Sequence, residues 1–252
     1  MKQEIMYVIG RNAVREVLES GHEVYKLSVL SSGKDETISS LVKMAQARRI
    51  PIEYKNRDEL NRISKGNHQG VIASCAGYGY VTVDEILDRA REKGEDPFVL
   101  ILESIQDPHN LGAIIRTAET AGVHGVIIGR NRAVGLTYAA AKTAAGAMEY
   151  VPVAQVTNLV RTIDQLKEEG LWAVCADMDG ELIYGADLTG PIALVIGGEH
   201  EGIGRLVKEH CDRTVRLPMQ GHITSLNASV AAGISIYEIV RQRRGKVHAE
   251  TK

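Results

Sequence analysis

Phe98-Val-Leu-Ile-Leu102, running on through Glu103-Ser-Ile-Gln-Asp-Pro-His-Asn-Leu-Gly-Ala-Ile-Ile-Arg-Thr-Ala118, decides the fold. Five apolar residues in unbroken succession read as a strand buried on both faces. The polar break after them leads into a helical spacing that puts Leu111, Ile115 and Ala118 on one side and Arg116 on the other, near Gly112 and Glu119. The same alternation recurs downstream, where Gly125–Ile128, Ala173–Ala176, Ile192–Ile196 and Thr214–Leu217 are separated by helical stretches. This predicts an open α/β domain with a parallel sheet covered on both faces. Such sheets take ligands beyond the carboxyl ends of their strands, so the loops after these runs are where chemistry is sought.

Upstream, residues 1–76 read as a small α/β domain: a helix near Asn12–Glu19, a strand Lys26–Leu30, a helix Ile38–Arg48, then Ile52–Tyr54, a short helix and Gly70–Ser74. Residues 77–96, with Gly77-Tyr-Gly-Tyr80 and a charged amphipathic stretch Val83–Gly94, read as a linker carrying one surface helix. The sheet domain is assigned to 97–246 and a tail to 247–252.

At 252 residues, 44% hydrophobic and 25% charged, the chain has the composition of a soluble globular protein. Its longest apolar runs are too short for a bilayer and Met1-Lys2-Gln3-Glu4 has no leader character, so a cytoplasmic protein without membrane association is expected. Cys75, Cys175 and Cys211 stand singly, which fits neither a disulfide framework nor a zinc ribbon. A net charge of −2 removes long-range attraction to phosphates, so any nucleic acid must be met by local patches. Met1–Cys75 is mildly basic, twelve Lys and Arg against nine Asp and Glu, and Arg241-Gln-Arg-Arg-Gly-Lys246 is a second basic cluster; taken alone, each reads first as a solvated surface.

Three loops of the sheet domain stand out. In the first, Asn110 is placed either to cap the helix or to act at the sheet edge, and Arg116 either pairs with Glu119 or offers a fixed cation to phosphate or ribose oxygens. In the second, Ile196-Gly-Gly-Glu-His-Glu-Gly-Ile-Gly204, a buried strand meets glycines that leave backbone groups open to a ligand, or simply turn. Its spacing is neither GxGxxG nor a P-loop, which disfavours a dinucleotide-dependent oxidoreductase or a triphosphate site. The third, Leu217-Pro-Met-Gln-Gly-His-Ile-Thr-Ser-Leu-Asn227, carries the cap candidates Thr224, Ser225 and Asn227. It precedes a helix made thin by Ala228, Ser229, Ala231, Ala232, Gly233 and Ser235, against which another backbone can approach. His109, His200 and His222 lie in these loops as weak base candidates, and no HExxH or similar spacing calls for a metal.

Together the three blocks resemble the SpoU/TrmH family of RNA ribose 2′-O-methyltransferases of the SPOUT superfamily. The motifs are Asn110-Leu-Gly-Ala-Ile-Ile-Arg116-Thr-Ala118, Gly197-Gly-Glu199-His-Glu-Gly202, and Pro218-Met219 through Ser225-Leu226-Asn227-Ala-Ser229. Val8-Ile-Gly-Arg-Asn-Ala-Val-Arg-Glu16 and Asn67-His-Gln-Gly-Val-Ile-Ala73 resemble the ends of the ribosomal-protein-like RNA-binding domain of the longer members, of which those acting on a guanosine of large-subunit (23S) ribosomal RNA match best. The resemblance implies a carboxy-terminal SPOUT α/β domain with a deep trefoil knot, a homodimer with active sites at its interface, and S-adenosylmethionine as cofactor. It places the cofactor among Gly197, Leu217 and Leu226, with Ile196, Gly198, Met219 and Ser225 adjoining, and makes Arg116 the key catalytic residue. Asn110, Glu199, Asn227 and Ser229 support it. A guanidinium is a permanent cation with donors and no acceptor, so Arg116 suits phosphate binding or stabilising a developing alkoxide better than proton removal. The alternatives are a transfer-RNA methyltransferase and a non-catalytic RNA-binding assembly factor on the same fold.

Overall fold

The computed structural model describes residues 5–31, 35–199 and 201–250, with side chains through Gly245. The chain forms two compact units, Met1–Gly79 and Tyr80–Lys252.

The first unit consists of β1 (Ile5–Ile9), α1 (Arg11–Glu19), β2 (Val24–Leu30), α2 (Glu36–Ala47), β3 (Ile52–Lys55), α3 (Arg57–Ile63) and β4 (Val71–Ala76). Its sheet runs β1-β4-β2-β3, parallel only between β2 and β3. Asp35 caps α2 by accepting from the N–H groups of Thr37 and Ile38, and Asn56 caps α3 in a reciprocal box with Glu59. The two terminal motifs of this unit meet in space: Gln69 Oε1 accepts the Arg11 N–H at 3.2 Å and the Arg11 side chain returns a bond to the Gln69 carbonyl, 58 positions apart. Gln69 and Gly70 both have positive φ, +50° and +84°, which turns the chain sharply into β4.

The second unit begins with α4 (Val83–Lys93), then β5 (Phe98–Glu103), α5 (Pro108–Thr120), β6 (Gly125–Gly129), α6 (Tyr138–Ala144), β7 (Val153–Val156) and α7 (Leu159–Glu168). It ends with β8 (Trp172–Leu182), β9 (Ile192–Gly197), α8 (Arg205–His210), β10 (Arg213–Arg216) and α9 (Ala228–Glu250). All six strands are parallel, in the order β10-β8-β9-β5-β6-β7. The apolar runs of β5 and β9 are buried residue for residue, as strands covered on both faces must be. From β5 the chain steps outward through β6 and β7, then returns to build the other half, so the direction of winding changes between β5 and β9. Ligand crevices form at such a switch point, here where Glu103 lies in register with Gly197.

The segment expected to be a linker differs in part. Its helix α4 buries Val83, Ile86, Leu87 and Ala90 in the core beneath β5, β6 and β9. Gly125 on β6 is where it docks, since a Cβ there would lie 2.6 Å from Ile86. The charged, amphipathic pattern was that of a helix with one buried face. The tail cluster is also not a free basic surface: Arg241 pairs with Glu238 at 2.8 Å, and Arg243 donates to the carbonyls of Asp96, Pro97 and Gly190 with its guanidinium 5.0 Å from the Phe98 ring centre. Helix α9 continues through 247–250, where a tail was expected.

Candidate active site

Asp107, not Asn110, caps α5, accepting the His109 N–H at 2.9 Å with Pro108 in the first helical position. Asn110 is thereby released from capping. It is buried, and its Nδ2 donates to Glu199 Oε1 at 2.9 Å. Asn227 does cap its helix, accepting from the N–H groups of Ser229 (3.0 Å) and Val230 (3.3 Å) and from the Ser229 hydroxyl (2.6 Å). Its Nδ2 meanwhile donates to Asn110 Oδ1 at 3.0 Å and to the same Glu199 oxygen. Four of the five expected catalytic residues, Asn110 in the first turn of α5, Glu199 in the loop after β9, and Asn227 and Ser229 at the start of α9, therefore form one hydrogen-bonded cluster. Glu199 Oε2 is left without a partner among the described residues.

Beside this cluster lies a cavity of about 360 Å³. All seven expected cofactor residues line it: Ile196, Gly197 and Gly198 from the end of β9, and Leu217, Met219, Ser225 and Leu226 from the loop before α9. The glycines are there because backbones close on them. A Cβ on Gly197 would stand 2.3 Å from the carbonyl carbon of Gly202, and one on Gly198 2.3 Å from the Ser104 carbonyl oxygen. Gly202, at φ +63°, folds back so that its N–H reaches the Gly198 carbonyl at 3.0 Å, and the N–H of Gly204 is taken by Glu103 Oε2 at 2.9 Å. Burial pushes the Glu103 carboxyl above its ordinary range, against the opposing pull of that N–H.

Arg116 stands apart. It is exposed on α5, makes no hydrogen bond or ion pair among the described residues, and does not line the cavity; its expected pairing with Glu119 is not formed. Gly112, expected on the same open side, is buried under α6, where a Cβ would meet the Ala140 carbonyl at 2.3 Å. His109 contacts Thr143 at 3.1 Å, His222 is exposed, and His200 lies outside the described residues. Among the described residues no cluster of His, Cys, Asp or Glu is arranged to hold a metal, and no helix is long and apolar enough to cross a membrane. Cavity residues that the sequence alone did not single out for a site include Asp177, Ile183, Val215 and Ala231. Their only signal was position near the carboxyl ends of strands or on the thin helix.

The SpoU rRNA methylase family matches residues 97–237, and a domain described as RNA 2′-O ribose methyltransferase substrate binding matches residues 7–81. A Bacillus subtilis relative, YacO, assigned to the TrmH family of tRNA/rRNA methyltransferases, is 48% identical over 96% of this chain and 98% of its own. Among solved structures, the SpoU methyltransferase AviRb of Streptomyces viridochromogenes superposes with a TM-score of 0.64 at 26% identity, covering 96% of this chain and 91% of that one. The same enzyme in complex with the cofactor AdoMet gives 0.63 at 25% identity.

Proposed function

The chain belongs to the SpoU/TrmH family of RNA methyltransferases, with S-adenosylmethionine as methyl donor, and we propose that it methylates a ribose 2′-hydroxyl of RNA, specifically of a guanosine in large-subunit (23S) ribosomal RNA. The observation that carries this reading is the Asn110–Glu199–Asn227 cluster bordering a cavity walled by backbone.

The cavity suits the donor. Its volume falls in the range of small-molecule sites, its buried side chains are apolar apart from Ser235, and Glu199 and Glu201 on its exposed side complement a cationic sulfonium. Closely packed glycine backbones fit a ligand held by amide groups rather than side chains. Bound S-adenosylmethionine supplies an electrophilic methyl group. The protein's part is to present the nucleophile: Asn110 and Asn227 hold Glu199 by one oxygen, and the free oxygen accepts and orients the sugar hydroxyl. Arg116, unpaired and exposed, binds the adjoining phosphate or stabilises the alkoxide as it develops.

Since Arg116 does not border the cavity of its own chain, we assign it to the site of a second copy, in a homodimer. Val230, Ile234 and Tyr237, respectively 48%, 39% and 49% exposed, form an apolar row on α9 that such a partner would cover. The deep trefoil knot that the resemblance implies belongs to the same proposal, with the segments after β9 and before α9 crossing at the cavity. The ribosomal preference rests on the RNA substrate-binding unit and its excess of Lys and Arg.

Tritiated methyl transfer to ribosomal and transfer RNA, followed by alkaline hydrolysis, tests the proposal, because a 2′-O-methyl group leaves an alkali-resistant dinucleotide. Label in ribosomal RNA within such dinucleotides is expected. Label released as mononucleotides would place the methyl on a base, and label confined to transfer RNA would overturn the substrate.

A further inference from the structure

Ser235 lies on the core side of α9 beside Ala232, Ile236 and Ile239, fully excluded from solvent. Its hydroxyl has no hydrogen-bond partner among the described residues. A buried helical serine ordinarily returns its hydroxyl to the carbonyl one turn back, and a hydroxyl that does not leaves its desolvation uncompensated. Ser235 instead borders the cavity. The other buried side-chain atoms without a hydrogen-bond partner among the described residues, on Tyr25, Ser28 and Arg243, belong to residues that do not line it.

The surroundings of that hydroxyl select the ligand group it can meet. Ile183, Ile196 and Val215, also lining the cavity, are fully or almost fully buried and wholly apolar, whereas its charged lining residues lie elsewhere: Glu199, Glu201 and Arg216 are exposed, and half-buried Asp177 is already paired with Lys208 at 3.0 Å. A carboxylate, ammonium or sulfonium placed among the buried residues would lose its hydration with no charge to replace it. A flat heterocycle with a polar edge would not. It buries its faces against the aliphatic walls and needs one or two hydrogen-bonding groups at its rim.

We propose that the Ser235 hydroxyl hydrogen-bonds the nucleobase edge of the methyl donor, making Ser235 a recognition residue for the adenine end of the site. This rests on the cavity being the donor site. The small side chain, which by sequence alone belongs to a helix kept thin for close packing, then has a second reason to be serine rather than alanine: it completes the hydrogen bonding of a ligand that fills the space beside it.

Calorimetric titration of wild-type protein and Ser235→Ala with two ligands, S-adenosylhomocysteine and 5′-methylthioadenosine, tests this without catalysis. Both carry the nucleoside and only the first carries the amino-acid end. Affinity for both is expected to fall about tenfold, the loss of one buried hydrogen bond. The ligand-free variant should unfold at the same temperature or higher, since an unsatisfied hydroxyl has been removed. Unchanged affinity for both ligands would overturn the proposal, as would a loss confined to S-adenosylhomocysteine, which would put the hydroxyl at the amino-acid end. Leu226→Arg, at a partly exposed side chain of the cavity wall, separates the premise from the inference. If it binds S-adenosylhomocysteine normally, the cavity is not the donor site; if it abolishes binding while Ser235→Ala changes nothing, the cavity stands and the role of Ser235 falls.

Discussion

The side-chain amide of Asn227 donates to that of Asn110 at 3.0 Å across 117 positions of chain, and both amides converge on one oxygen of Glu199. Asn227 thus has two separable duties, one toward its helix through Oδ1 and one toward the cluster through Nδ2. Asn227→Asp preserves the cap acceptor but sets a second carboxylate against Glu199. The fold should keep its thermal stability while methyl transfer falls about a hundredfold through misplacement of the cluster. Asn227→Ala should lose the activity and, in addition, about 1 kcal/mol of stability from the missing cap. Single-turnover transfer beside thermal melts distinguishes the two duties; equal melting losses in both variants would show the cap was not preserved by Asp.

Arg116 and the cavity residues should fail in different ways. Arg116→Ala removes an exposed, unpaired side chain, so stability should change by less than about 0.5 kcal/mol and donor binding should be intact while transfer is almost abolished. Leu226→Arg charges the cavity and should eliminate donor binding itself, as should Gly197→Trp, whose first side-chain carbon already meets the Gly202 backbone and displaces that wall. Calorimetry with S-adenosylmethionine alongside the transfer assay reads both. Full activity in Arg116→Ala would remove it from the mechanism.

Helix α4 is a core element, and Ile86 is its anchor against Gly125. Ile86→Ala should cost about 2–5 kcal/mol, the range for a fully buried aliphatic side chain, measured by urea unfolding of the full chain. A cost near zero would return α4 to the surface.

The strands that stood out most plainly in the sequence were β5 and β9, buried on both faces, because no polar residue interrupts their apolar runs; the part-exposed β3 and β10 were legible only as short apolar runs between helical stretches. Strands β1 and β7 were not, since half-exposed Ile5–Ile9 and the four residues Val153–Val156 are too short or too mixed to stand out. For α4 the charged face was visible but its buried face had no visible counterpart until β6 and β9 supplied one. In the site, residue types at Asn110, Glu199 and Asn227 were legible, yet their bonding was not: the cap signal at Asn110 was outcompeted by Asp107 three residues earlier, whose neighbour Pro108 in the first helical position was the local sign of where the helix starts. The hydroxyl of Ser235 was read only for its size, because that it faces a cavity depends on β8, β9 and the loop before α9 together.

His124 gives the second unit a defined pH dependence. Its Nδ1 accepts the Phe98 N–H at 3.0 Å at the start of β5 and its Nε2 contacts Glu95 at 3.1 Å. Burial depresses its pKa below the ordinary histidine value despite the opposing pull of Glu95. The folded state therefore binds fewer protons than the unfolded one below about pH 6.5, and stability present above that pH is lost as the solution is acidified toward the folded pKa. Melting temperature should fall across this window in wild type and fall less in His124→Gln. Parallel curves for the two proteins would assign the whole acid loss to carboxylates.

Subunit complementation tests whether Arg116 acts across a dimer. Arg116→Ala retains the Asn110–Glu199–Asn227 cluster, and Glu199→Gln retains the arginine. If each site borrows its arginine from the neighbour, a mixed dimer contains one complete site, and random reassortment of the two inactive proteins should restore roughly a quarter of wild-type activity in a two-fold symmetric assembly. If Arg116 serves its own chain, no combination of subunits contains a complete site and the mixture stays inactive. Tyr237→Arg, which places a charge in the exposed apolar row of α9, should yield a monomer by light scattering and lose transfer with it, while still binding S-adenosylhomocysteine in a cavity that Tyr237 does not line. A fully active monomer would refute the borrowed arginine as surely as failed complementation.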